Sequence, residues 1–165
     1  MSGINYRQIV TSSTPEKSLT SGFRRAMGRN NTGRITTRHK GGGHKRLFRE
    51  VDFSYDKYNV PFTIKTIEYD PNRSGFIGLA VYKDGEKRYV LLHNSTRVGD
   101  TYIVSENAPL ETGNRTLLSR IPIGTMVYNV ELTKGKGAQI ARSAGSGAIV
   151  LAQEGQYTHL QMPSK

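Results

Sequence analysis

The 165-residue chain contains no cysteine, which excludes a disulfide framework and a thiolate metal site. Its apolar runs are all shorter than the roughly 18 residues of a membrane span, and its N-terminus lacks the apolar core of a secretory signal. Acidic residues are absent from Ser18 through Arg49. The net charge is +11 and the pI is about 10.0. These features predict an anionic partner, either a nucleic acid or an acidic membrane surface.

The charge is unevenly distributed along the chain. Residues 1–50 carry a net charge of +9, residues 51–110 a net charge of −1, and residues 111–165 a net charge of +3. A basic arm is therefore attached to a nearly neutral body, which is typical of a nucleic-acid-binding arm. An organellar transit peptide, which is also basic and poor in acids, is the alternative interpretation of the N-terminus.

Residues 24–49 hold nine of the 24 lysines and arginines, no acidic residue and five glycines. Large apolar side chains are too few there to offset the entropy of ordering, so we expect this stretch to be ordered by a polyanion or to stay disordered. Its glycines let backbone amides approach a phosphate, and its guanidinium groups can each donate two hydrogen bonds to phosphate oxygens. Residues 1–23 are polar and are expected to be extended chain without a core. Residues 1–49 are thus predicted to form an extended RNA-binding arm.

Beyond Glu50 the pattern becomes that of β-strands. An Asp-Gly hairpin turn is predicted at residues 83–86, and the alternation of residues 61–70 slips once. Five strands in a short block favour an OB-fold-like five-stranded barrel over residues 50–110, although an open meander also fits the pattern. The predicted strands are residues 51–55, 61–70, 76–82, 88–93 and 101–105.

A linker rich in turn residues, 111–120, precedes a second β block, 121–165. This block has only 45 residues, has no cysteine to cross-link it, and ends on a strand whose edge would be unpaired. We therefore predict an incomplete barrel that another chain completes. The predicted strands are residues 125–132, 139–142, 148–153 and 156–162.

No catalytic constellation is evident, so the chain is predicted not to be an enzyme. The histidines of the arm lack the carboxylate or cysteine partners of a metal site, and neither glycine-rich loop has the spacing of a P-loop. Lys134 and Lys136 could form a phosphate clamp or a solvated turn. Most tyrosines on the predicted strands are expected to pack in the core, with base stacking for one or two of them.

Four motifs resemble the large-subunit ribosomal protein two family: GRNNTGRITTRHKGGGHKR (28–46), EYDPNRSGFIGLAVYKDGEKRYVL (68–91), IPIGTMVYNVE (121–131) and GKGAQIARSAG (135–145). The resemblance implies a mainly β protein with a basic N-terminal arm, an OB-type barrel and an SH3-like barrel. It further implies binding to large-subunit rRNA, proximity to other large-subunit proteins, support of assembly, subunit association and translation, and no membrane. It implies no cofactor beyond structural Mg ions that the rRNA could hold.

The predicted rRNA-binding residues follow from the family resemblance and from the positive charge of the arm. They are Arg24, Arg25, Arg29, Arg34, Arg38, His39, Lys40, His44, Lys45, Arg46, Arg49, Arg73, Arg88, Lys134, Lys136 and Arg142.

Members of the resembled family continue well beyond the position that corresponds to Lys165. We therefore expect a split protein whose C-terminal half is a separate chain, which would suit a mitochondrial ribosome in preference to a plastid or bacterial one. The alternative function is a free regulator that binds single-stranded RNA through its OB-like barrel. Co-sedimentation with large subunits would distinguish the two.

Overall fold

The computed structural model describes residues 5–22 and 26–164. Within these residues the protein is mainly β, with eleven short strands, three 3-10 turns and no α-helix. The 3-10 turns span Tyr6–Gln8, Lys17–Leu19 and Leu118–Arg120. The strands are β1 (Thr20–Gly22), β2 (Leu47–Arg49), β3 (Phe62–Glu68), β4 (Ile77–Tyr82), β5 (Lys87–Leu91), β6 (Thr101–Tyr102), β7 (Met126–Val127), β8 (Val130–Glu131), β9 (Ala138–Ile140), β10 (Ala148–Glu154) and β11 (Tyr157–Gln161).

The body is built on an antiparallel sheet with the order β5-β4-β3-β6. Strands β4 and β5 are joined by the predicted Asp-Gly hairpin, in which Gly85 has a φ of 85°. The slip in the sequence pattern is a β-bulge, because the register of β3 against β4 shifts between Ile64 and Thr66. A bulge increases local twist, and the sheet curls into a half-barrel that is consistent with an OB-fold-like barrel.

Both faces of this sheet are covered. One face packs a cluster that includes Phe62, Ile64 and Tyr82. The other packs Ile77, Leu79, Tyr89 and Leu91, and side chains from outside the sheet complete this second cluster. They are Leu19, Val51, Phe53 and Tyr128.

Residues 51–55, the first of the five predicted strands, do not form a strand. Val51 makes only an isolated parallel bridge to Tyr89. The Asp52 carboxylate then accepts hydrogen bonds from the backbone N–H groups of Ser54 and Tyr55 at 2.8 and 3.0 Å, which bends the chain into a turn. The alternation in this segment therefore reflects packing onto the sheet and not pairing within it.

The expectation of a coreless N-terminal segment is wrong for residues 5–22. Thr11 pairs with the edge of β3, since its N–H donates to the Ile67 carbonyl at 2.9 Å and its hydroxyl accepts from the Ile67 N–H at 2.8 Å. Leu19 packs against the second cluster. The segment is held by packing on the core of the sheet, and its own polar composition could not predict that contact.

The second block contains two small antiparallel sheets, with the orders β11-β10-β7 and β8-β9. Strands β9, β10 and β11 lie close to the predicted strands. The predicted strand 125–132 is instead divided at Asn129, which has a φ of 54°, into β7 and β8 of different sheets. Strand β11 is at the edge of its sheet within the described residues, as predicted. The predicted linker is partly paired, because an isolated parallel bridge joins Arg115 to Val104. The division into an arm, two barrels and a linker stays a prediction.

Two buried contacts join this block to the body. The Asn129 Nδ2 donates to the Tyr55 hydroxyl at 3.0 Å, and the Ala138 N–H donates to the Phe53 carbonyl at 2.8 Å.

Candidate nucleic-acid interface

The segment between β1 and β2, residues 23–46, is called the basic loop here. It starts and ends at one place, because β1 pairs with β2 in the register Thr20–Arg49, Ser21–Phe48 and Gly22–Leu47. The positive charge is therefore carried by a loop closed at its base, and not by a free tail. Arg24 and Arg25, which were predicted to bind rRNA, lie outside the described residues.

All the predicted cations and histidines in the described part of the basic loop are exposed. They are Arg29, Arg34, Arg38, His39, Lys40, His44, Lys45 and Arg46. Among residues 26–46 no arginine or lysine forms an ion pair with a carboxylate of the described chain. The loop thus presents concentrated positive charge that the protein itself does not neutralise.

Local hydrogen bonds shape the tip of the basic loop. The Asn30 Oδ1 accepts from the Thr32 N–H at 3.1 Å and from the Arg34 N–H at 2.9 Å. The Gly28 carbonyl accepts from the N–H groups of Thr36 and Thr37 at 2.7 and 3.1 Å. Hydrogen bonds of this kind stabilise a turn without burying apolar surface. The need for a polyanion to order the whole segment stays a prediction.

The C-terminal end of the predicted arm lies against the body. Arg46 donates through Nη1 to the Pro71 carbonyl at 2.8 Å. Arg49 is buried, with 9% of its surface exposed, and its Nη1 donates to the Leu47 carbonyl at 2.9 Å. Arg49, although predicted to contact rRNA, is therefore largely withdrawn from solvent.

Two more predicted residues, Arg73 and Arg142, meet at the ring of Phe53. Their guanidinium carbons lie 5.5 and 3.6 Å from the ring centroid, within the range of cation–π contacts. Arg73 also donates through Nε to the fully buried Asp70 at 2.6 Å. The adjacent loops are joined by a hydrogen bond, in which the Ala144 N–H donates to the Ser74 hydroxyl at 3.1 Å. Two cations from distant parts of the sequence thus meet at one ring, where Arg142 is exposed and Arg73 is mostly buried beside Asp70.

Phe53 is the residue of this surface that sequence reasoning assigned to another role. Its alternation with Val51 and Tyr55 suggested a strand, and no local pattern marks it as a contact for two arginines. Only the fold brings Arg73 and Arg142 to the same ring.

Arg88 is placed differently from the other predicted residues. Its guanidinium donates to Asp52 at 2.8 Å, to Glu86 at 2.6 Å and to Asp56. Burial disfavours the charged form, but these three carboxylates outweigh it and raise the pKa of Arg88. Because its donors are used inside the protein, Arg88 is poorly available for a phosphate contact.

Lys134 and Lys136 lie in the exposed turn between β8 and β9. Lys134 pairs with Glu106 at 2.8 Å, and this hydrogen bond and its charge lower the pKa of the carboxyl group. Both partners are largely exposed, so the pair costs little to exchange for a phosphate. The turn leaves both lysines accessible.

No metal centre and no membrane helix is found in the described residues. No group of three or more His, Asp or Glu side chains is placed to hold a metal ion in residues 5–22 and 26–164. Over the same residues no helix is long and apolar enough to cross a membrane.

A small curled β-sheet that carries an exposed basic loop, together with the exposed cations Lys134, Lys136 and Arg142, defines a protein of the nucleic-acid-binding class. Residues 16–105 match the family model described as Ribosomal Proteins L2, RNA binding N-terminal domain. Residues 111–165 match Ribosomal Proteins L2, C-terminal domain. The chain belongs to the ribosomal protein L2 family.

A similar curated protein is the large ribosomal subunit protein uL2 of Endomicrobium trichonymphae. The two sequences are 51% identical over 155 residues. The matched region is 94% of this chain and 56% of the relative, so the chain spans about half the length of that relative.

Proposed function

We propose that this protein is a non-enzymatic structural component of the large ribosomal subunit that binds large-subunit rRNA and supports assembly, subunit association and translation. The observation that carries the proposal is the basic loop, because the arginines and lysines of residues 26–46 are exposed and have no carboxylate partner among the described residues. Membership of the ribosomal protein L2 family supports it.

The mechanism is electrostatic neutralisation of phosphates. Arginine in the basic loop can donate two hydrogen bonds to one phosphate, and each neutralised phosphate releases counterions. The tip turn presents Arg29 and Arg34 from a hydrogen-bonded backbone, which reduces the entropy that binding must overcome. The exposed Arg142, which lies over the ring of Phe53, would give the RNA a second contact on the body.

The two finer predictions concern a separate C-terminal chain and a mitochondrial ribosome. The separate chain for the C-terminal half receives no support, because the models of both family domains match this one chain. Location in a mitochondrial ribosome stays a prediction that depends on the sequence argument alone.

The test measures binding of a large-subunit rRNA transcript over a range of salt concentrations. Arg34→Ala and Arg38→Ala should each weaken binding and reduce the slope of log K against log salt by about 1. Lys83→Ala is the matched control, since it removes one exposed charge outside the basic loop and should leave the affinity nearly unchanged.

A second variant follows from the paired base of the loop. Gly22 and Leu47 are opposite each other in the β1–β2 pair, so a short Gly-Ser turn can replace residues 26–45 without separating the strands. This variant should fold and lose most of its rRNA affinity. Unchanged affinity would show that the basic loop is not the principal contact.

A further inference from the structure

Three aromatic rings gather on the surface where the N-terminal segment meets the sheet. The Tyr6 ring lies 5.2 Å from that of Tyr69 and 5.8 Å from that of Phe76, measured between centroids. Tyr6 is 48% exposed and Tyr69 is 46% exposed. Phe76 packs beneath them against the core cluster of the sheet. The two tyrosines therefore offer ring surface to solvent while their base is fixed.

The backbone holds this cluster in place. Tyr6 begins a 3-10 turn, and its carbonyl accepts the N–H groups of Ile9 and Val10 at 3.1 and 2.9 Å. The two hydrogen bonds between Thr11 and Ile67 then fix the segment two residues before Tyr69. A platform fixed in this way loses little side-chain entropy when a ligand binds.

The core does not account for the exposure of these rings. The core of the sheet buries Tyr55, Tyr82, Tyr89 and Tyr102 to 9% exposure or less, whereas Tyr6 and Tyr69 keep about half their surface in water. Tyr6 also lies ahead of residue 16, where the match to the family's RNA-binding domain begins. The platform is thus completed by a segment outside that match.

Positive charge borders the platform. Arg7 follows Tyr6 and is exposed. On the other side, Tyr69 leads into the turn whose Pro71 carbonyl accepts a hydrogen bond from the exposed Arg46 guanidinium. Exposed aromatic faces beside cations suit single-stranded RNA, because bases stack on the rings while the phosphates meet the charges.

We propose that Tyr6 and Tyr69 form a stacking platform for an unpaired RNA base. The proposal rests on the proposed function, since it assigns one contact of the same RNA. The interplanar angle of 58° means that a base stacked on one ring meets the other at its edge, an arrangement that aromatic quadrupoles favour. The platform selects unpaired over paired RNA, because the bases of a duplex are already stacked on one another.

The experiment compares a fluorescein-labelled ten-nucleotide single-stranded RNA with a blunt duplex of the same length at low salt. Tyr6→Ala and Tyr69→Ala should each weaken binding of the single strand by roughly 5- to 150-fold and change duplex binding by less than about twofold. Tyr6→Phe and Tyr69→Phe keep the ring and should bind as the parent protein does. Tyr157→Ala, which removes a tyrosine that is 77% exposed and far along the chain, is the control.

Crosslinking gives a second readout that does not depend on stability. A single strand that contains 4-thiouridine should crosslink to the peptide of Tyr6 or Tyr69. Equal losses for single strand and duplex, no loss for either alanine variant, or crosslinks confined to other peptides would overturn the proposal, and would leave a protein contact as the use of this surface. Arg34→Ala reports separately on the proposed function, because it should weaken both RNAs through the salt-dependent term.

Discussion

Tyr89→Phe tests how the N-terminal segment is attached to the sheet. The Tyr89 side chain is fully buried, and its hydroxyl donates to the Glu68 carboxyl oxygen at 2.7 Å. The same hydroxyl accepts from the Glu16 N–H at 2.8 Å. Burial, with the bond to Glu68, raises the pKa of Tyr89, so the phenol stays protonated and remains a donor. One atom therefore links the sheet to the segment that leads into β1.

Removing this hydroxyl breaks both bonds and adds no steric conflict. A hydrogen bond to a charged group contributes about 1.5–3 kcal/mol and one between neutral groups about 0.5–1.5 kcal/mol. Glu68, at 3% exposure, retains its bond from the Thr66 hydroxyl at 2.9 Å, which limits the penalty. The variant should therefore lose about 2–4 kcal/mol of unfolding free energy, or about 5–15 °C in Tm for a chain of this size.

The assay is urea denaturation followed by circular dichroism, with amide hydrogen exchange as a local readout. Tyr157→Phe is the matched control, because Tyr157 is 77% exposed and its variant should stay within about 0.5 kcal/mol of the parent. Compared with the parent, the Tyr89 variant should show a larger increase in amide exchange rate in β1 than in β4. Equal stability of the two variants would refute the view that this hydroxyl anchors the N-terminal segment.

Two further predictions concern the junction of the blocks and pH. Gly137→Ala should cost about 2–4 kcal/mol of unfolding free energy, since Gly137 has a φ of 77° and an added Cβ would lie 2.7 Å from the Phe53 carbonyl oxygen. Gly135→Ala, at a φ of 85° with no atom within 4 Å, should cost only about 1–2 kcal/mol. Burial lowers the pKa of His93 from 6.5, so the unfolded chain binds the proton more readily and stability should fall as the pH drops below 6.5. Urea denaturation of His93→Gln should show a smaller difference in unfolding free energy between pH 7 and pH 5 than the parent shows. An identical difference would assign the pH dependence to other groups.

Local patterns predicted much of the body. The Asp-Gly hairpin at 83–86 was predicted because its turn residues act within four positions. The bulge in β3 left a visible slip in the alternation between Ile64 and Ile67. The mainly β class and the exposed cations of the basic loop followed from composition and charge.

Other features depended on contacts between distant residues. The docking of residues 5–22 requires Ile67 and Tyr89, and neither can be inferred from the polar composition of that segment. Arg49 and Arg88 carry the same charge as Arg34, and the sequence predicted an rRNA contact for all three. Their positions separate them, because Arg49 is buried and Arg88 is held by three carboxylates.

The sequence by itself determined that this chain has a β body and a strongly basic segment, since alternation and charge are properties of the residues in order. Only the tertiary structure decided that the basic segment is a loop closed by β1 and β2, and that Arg73 and Arg142 share the ring of Phe53. The physical reason is that pairing, burial and cation–π contact depend on distances in space, which the spacing of residues along the chain does not fix.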